Sequence, residues 1–301
     1  MRLLRDALLV AGFDLGDSLR SRRVLALLVI YAAGAMAAAA GFVAILHDIE
    51  GTLASQLGVS ATARPGALTD ALMASKQLHE ILADLTGDAS LVNALVRVPL
   101  LALMYGWTSL MFTPALVTMT ACDAVAADVA TGACRFSLAR TQRLSWALGK
   151  LGGQAALLGC GILGGAIGTW IVGAFGLDGF PWVDTALWLL RLGFRAWWNG
   201  LPYLGLALAA SLVTRSTSGA RALALLLLVG VGVLDSALAA DRVRELWPVG
   251  LDTLRQLLPG AHTGALWRPE LLQRLPALVM QAALTGAWFS AGYAIFARRD
   301  A

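Results

Sequence analysis

Six continuous apolar runs, 24–46, 98–121, 151–175, 196–214, 222–240 and 275–297, constrain this chain more than any other feature. A helix rises about 1.5 Å per residue, so roughly 20 apolar residues cross the hydrocarbon core of a bilayer. Each run is continuously apolar instead of alternating, which selects helices over a barrel. The fifth run contains Asp235 near one end, and the fourth is preceded by Arg191 and Arg195. Only 14% of the residues are charged, against about a quarter in a soluble domain. The expected fold is therefore all-α: a polytopic membrane protein with six transmembrane helices and an N-terminal amphipathic interfacial helix before them.

That leading helix is expected over residues 1–23. Leu4, Leu8, Ala11, Leu15 and Leu19 recur every three to four residues, with Arg2, Arg5, Asp6, Asp14 and Asp17 between them. The pattern describes a helix lying in the membrane interface, ending in the basic cluster Arg20, Arg22 and Arg23. Of the Lys and Arg, 13 flank the spans on the side of this leader, of segment 122–150 and of the C-terminal tail. The other 10 are spread over the longer segments 47–97, 176–195 and 241–274. The excess of basic residues predicts that both termini are cytoplasmic. Segment 47–97 is expected to form one or two amphipathic helices outside the membrane. Segment 241–274, with Trp247, Pro248, Leu257, Leu258 and Trp267, is expected to form short interfacial or partly re-entrant helices.

Catalytic signatures are missing. There is no GxxxxGK[ST], since Gly149 and Lys150 are followed by Leu151, so the chain has no phosphate-cradling loop of its own. Neither a GxSxG turn nor an HExxH pattern occurs. Cys122, Cys134 and Cys160 form no CxxC, and His47, His79 and His262 are far apart. No metal site, no resident cofactor and no enzymatic activity are expected, and no basic tract with interleaved aromatics indicates nucleic acid.

Three charged residues near the spans are candidates for contact with substrate or lipid. Arg191 and Arg195 lie one helical turn apart beside Trp188 and Trp198, suited to an anionic group or to snorkelling at the interface. Asp235 is the deepest acid, and its position near a helix end favours a water-facing role. In the third run, Gly161 with Gly165 and Gly164 with Gly168 repeat at four residues, a spacing that lets helices approach closely.

The segment 122–150 is a polar, basic connector wedged between the second and third runs, shaped to dock against something outside the lipid. Asp128, Gly132, Arg135, Leu138, Arg140, Arg143 and the pair Gly149-Lys150 resemble the cytoplasmic signature of type-2 ABC transporter permeases. That signature reads Glu, then Gly-Thr-Leu four residues later, a Leu-rich turn, Pro, Arg, and Gly-Lys seven residues after the Arg. Asp128 takes the Glu position, and Arg143 and Lys150 keep the spacing. Ala133-Cys134 replaces Thr-Leu and Thr141 stands where Pro is usual. The leader ending SLRSRR resembles the family's elbow helix. TRSTSGAR before the fifth run and LLPGAHTGALW before the sixth are similar to its other connecting segments.

The resemblance covers nearly the whole chain and implies a single permease domain, 1–301, in a bacterial inner membrane. It implies a pair of such chains, usually a homodimer, each resting on a separate ATP-binding subunit that holds ATP and magnesium. Asp128, Gly132, Arg135, Arg140, Arg143 and Lys150 are the implied coupling residues, and export is the implied direction. An alternative is a subunit that transmits ATPase motion to an extracytoplasmic partner through segment 47–97. A membrane enzyme or scaffold without an ATPase is the reading from a different class.

Overall fold

The computed structural model describes residues 2–57, 92, 95–240, 248–268 and 270–298. Every regular element among them is helical. In order they are α1 (Arg2–Arg20), α2 (Arg22–Leu57), α3 (Leu100–Ala121), α4 (Ala126–Thr131), α5 (Ala133–Leu138), α6 (Arg143–Gly176), α7 (Trp182–Val213), α8 (Thr217–Ala239), α9 (Pro248–Gln256), α10 (Gly260–Thr263), a 3-10 turn (Gly264–Trp267) and α11 (Leu271–Ala297).

Five of these helices, α2, α3, α6, α8 and α11, are long and apolar enough to cross a membrane. The expected sixth, 196–214, lies within α7, which falls outside that set. α7 begins at Trp182, before 196, so Arg191 and Arg195 sit inside the helix. Its segment after Arg195 carries Trp197, Trp198, Asn199, Pro202 and Tyr203, which dilute its apolarity. The physical reason is location. α7 packs against α3, α6, α8 and α11, so much of its surface meets protein and tolerates polar groups that find partners. Its 32 residues span about 48 Å at 1.5 Å each, so its length suffices. α2 continues beyond the apolar run 24–46 to Leu57.

α6 and α7 are the axis of the bundle. α6 contacts α1, α2, α3 and α7, and small residues set how close its neighbours come. A Cβ on Gly161 would lie 2.9 Å from Leu28 Cδ2, and one on Gly168 would lie 2.5 Å from Met36 Cγ. The glycines of α6 therefore seat α2. Between α7 and α11, a Cβ on Gly292 would lie 2.5 Å from the Ala209 backbone. Polar side chains also tie the helices to one another. Tyr105 Oη donates to the Ile162 carbonyl at 2.6 Å, and Trp198 Nε1 to the Leu278 carbonyl at 3.0 Å. Asn199 Oδ1 accepts from both Thr263 and Gln281, each at 3.0 Å.

The short helices of 248–267 pack against α7, α8 and α11. Trp267 reaches Gly106, and Leu266 is fully buried. Most of segment 47–97 lies outside the described residues, as do 241–247, so the helices expected there are not described.

Candidate functional site

The polar connector after α3 folds into two short helices, α4 and α5, joined at Gly132. Gly132 is the hinge, with φ 76° and ψ 0°, a left-handed conformation that only glycine adopts without cost. The connector is held at its start by Ser211, near the end of α7. The Ser211 Oγ accepts from the backbone N–H groups of Val125 (3.0 Å) and Ala126 (2.9 Å). At its end, Thr141 Oγ1 donates to the Ser137 carbonyl at 2.8 Å. Thr141 thereby closes the α5 turn in the position where proline is usual.

Asp128 does not point outward. Its Oδ2 lies 2.7 Å from Lys150 Nζ, which also lies 2.6 Å from Asp14 Oδ1 on α1. Gln154 Nε2 donates to the other oxygen of Asp14 at 2.8 Å and to Ser18 Oγ at 3.2 Å. Lys150 is 9% exposed and Asp14 6%. A lysine between two carboxylates makes burial of Lys150 and Asp14 tolerable, because each charge keeps a partner, with Asp128 completing the triad from a half-buried position. The same contact explains Gly149 and Gly153. A Cβ on Gly149 would lie 2.5 Å from Val10 Cβ, and one on Gly153 would lie 2.7 Å from Asp14 Oδ2. α1 thus docks on α6 through Ala7, Val10, Ala11 and Asp14, while Leu4, Leu8, Leu9 and Phe13 are left at least two-thirds exposed. That outward stripe is the apolar face of an interfacial helix.

Two further ties frame the site. Asp123 Oδ2 accepts from Arg23 Nη1 and from Arg221 Nε (2.9 Å) and Nη2 (2.5 Å), so one carboxylate gathers the starts of α2 and α8 at the end of α3. Arg143 Nη1 donates to the Ala297 carbonyl at 2.8 Å, holding the end of α11. Trp146 is 2% exposed and stacks on Phe296 with centroids 5.7 Å apart, which adds about 0.5–1.5 kcal/mol beyond its area.

What remains outward is Arg135, Phe136 and Arg140. Phe136 is 81% exposed, an aromatic at the tip of a polar joint. Behind it, a groove of about 610 Å³ runs between α1 and α5, with Phe13, Asp17, Ser137, Arg140 and Trp146 among its walls. Cys134 is buried beneath the joint, and burial pushes its thiol pKa up, with the Asp128 carboxylate adding to the effect.

The expected residues therefore divide. Gly132 shapes the joint, Asp128 and Lys150 bind each other, Arg143 secures α11, and Arg135 with Arg140 face outward. Asp14, Asp123 and Phe136 complete the site and are not singled out by the sequence pattern. Arg191, Arg195 and Asp235 lie elsewhere. Arg191 stacks on Trp188 at 5.1 Å, and Arg195 is 8% exposed. Asp235 Oδ1 is 3.6 Å from Arg255 Nε, tying α8 to α9. Among the described residues, no three His, Cys, Asp or Glu are grouped to hold a metal ion. The arrangement is a joint: charged ties link it to α6 and through Lys150 to α1, and the Ser211 hydroxyl links it to α7, with an aromatic and two cations displayed outside.

A family model described as ABC-2 family transporter protein matches residues 8–243, from α1 through α8 and including the whole joint. No curated protein matches the chain.

Proposed function

The chain belongs to the ABC-2 family of transporter proteins, and from that membership we propose that it is the permease subunit of an ABC exporter, driven by a separate ATP-binding subunit. The α4–α5 joint is the docking element, placed in the cytoplasm with both termini, in a bacterial inner membrane. Phe136 enters an apolar recess of the ATPase, Arg135 and Arg140 meet its acidic rim, and the groove beside α1 widens the contact. ATP and magnesium are bound by that partner. α7 provides the sixth span, and two permease chains flank the substrate path.

The observation that carries this reading is the ion triad Asp14–Lys150–Asp128. It joins the displayed joint to α6, one of the two central helices, and to α1 at once. A displacement of α4–α5 is thereby passed to α6 without first breaking a flexible link. The experiment is affinity purification of the tagged chain from its native membranes with identification of co-purifying proteins. An ATP-binding subunit whose hydrolysis the chain stimulates supports the reading; a chain that purifies and works alone contradicts it.

A further inference from the structure

Away from the joint, three arginines converge on one pocket. Arg191 and Arg195 from α7 and Arg274 from the first turn of α11 surround a cavity of about 500 Å³, completed by Trp188, Leu190 and Phe194. The register of the two helices is set by Trp198, whose indole N–H donates to the Leu278 carbonyl. Arg274 is steadied at its Nε by the Glu270 carbonyl at 3.3 Å. Among the described residues lining the cavity none is acidic. Arg195 is more than nine-tenths buried and its Nε has no hydrogen-bond partner. It also experiences the like charges of both Arg191 and Arg274.

A buried guanidinium among like charges is costly by itself and complementary to an anion. Its planar fork of donors fits two oxygens of a phosphate. The surroundings narrow the choice further. A second cavity, an apolar groove of about 370 Å³ between α6 and α7, adjoins the basic pocket and shares Leu190 and Phe194 with it. Those two side chains are 51% and 54% exposed, so pocket and groove open together on the outside of the bundle. A cationic pocket continuous with an apolar groove is the negative image of an anionic amphiphile.

We propose that this is a binding site for an anionic phospholipid. Arg195 and Arg274 hold the phosphate, Arg191 covers it from the mouth while stacked on Trp188, and an acyl chain lies past Phe194 in the α6–α7 groove. Inorganic phosphate shares the head chemistry but has nothing to place in the groove. The site stands independently of ATPase docking.

The test uses the full chain in nanodiscs made of equal parts phosphatidylglycerol and phosphatidylcholine. Lipids retained after detergent extraction are counted by native mass spectrometry. The wild type retains phosphatidylglycerol in preference, and Arg191→Gln or Arg274→Gln each lowers that preference about fivefold, the effect of one cation at a membrane surface. Both side chains are less buried than Arg195, so these variants report binding even where Arg195→Gln does not fold. Phe194→Ala lowers phosphatidylglycerol retention with the arginines intact. Equal retention of the two lipids by the wild type overturns the proposal. So does full displacement by millimolar inorganic phosphate together with unchanged retention in Phe194→Ala, which assigns the pocket to a free anion.

Discussion

Lys150 Nζ lies 2.6 Å from Asp14 Oδ1, across 136 residues of sequence, and this contact fastens the first helix to the bundle. Replacing Lys150 by Met leaves the buried Asp14 and the partly exposed Asp128 without their shared cation. The expected loss is about 3–5 kcal/mol of stability. Asp14→Asn with Lys150→Gln removes both charges of the pair and loses less than the sum of its single changes. Unfolding of the purified variants in detergent measures this coupling; additive losses contradict it.

The approach of α1 to α6 depends on a missing Cβ. Gly149→Ala places a methyl 2.5 Å from Val10 Cβ and 2.8 Å from the Ala7 carbonyl oxygen. Neither helix can yield without moving the ion triad, so the change costs about 1–3 kcal/mol. Gly12→Ala, on α1 itself, meets nothing within 4 Å and raises stability by up to about 1 kcal/mol through helix propensity. Opposite signs in thermal unfolding of the two variants are the expected result.

At the hinge of the joint the constraint is backbone alone. Gly132 has φ 76° and open space around it, so Gly132→Ala costs about 1–2 kcal/mol from the left-handed conformation. Gly132→Asn costs less, because asparagine tolerates that region. Denaturation midpoints rank the three proteins Gly, Asn, Ala; an Ala variant equal to wild type contradicts the assigned conformation.

How much of this is legible in the sequence follows from the range of each interaction. Apolar continuity is local, so five of the six runs map directly onto long apolar helices, and the polar joint stands out between two of them. The fourth run, 196–214, hides the true start of α7, because Trp188, Arg191 and Trp198 read as an interface when they lie within one helix. Read alone, Asp14 belongs to the polar face of an amphipathic helix, and only the fold brings Lys150 to it. Asp123 carries a faint signal, one acid just past a span with Arg23 and Arg221 at the starts of two others. Arg274 sits just outside the last run, and nothing local links it to Arg195.

Cys134 reports on the joint. Burial and the Asp128 carboxylate raise its thiol pKa above the ordinary 9.0, so the thiolate that reacts with a maleimide is scarce at neutral pH. The folded chain holds this proton more tightly than the unfolded one. The resulting stabilisation is therefore complete below pH 9.0 and lost as pH rises through the higher folded value. Labelling by a water-soluble maleimide is slow in the wild type; Lys150→Met removes a charge that favours the thiolate but releases the joint, so the rate corrected for thiolate fraction rises. Equal corrected rates contradict the link between Lys150 and the joint.

The most direct test of the coupling assignment combines Phe136→Asp with Arg140→Glu, two outward residues whose replacement leaves the triad and the tie from Arg143 to Ala297 intact. Wild-type and variant chains are purified from native membranes at equal abundance, and co-purifying ATPase and its hydrolysis are measured. The wild type is expected to carry an active ATP-binding subunit, and the variant, still folded and inserted, to lose it. Full retention of the ATPase and its stimulated hydrolysis by the variant contradicts the account.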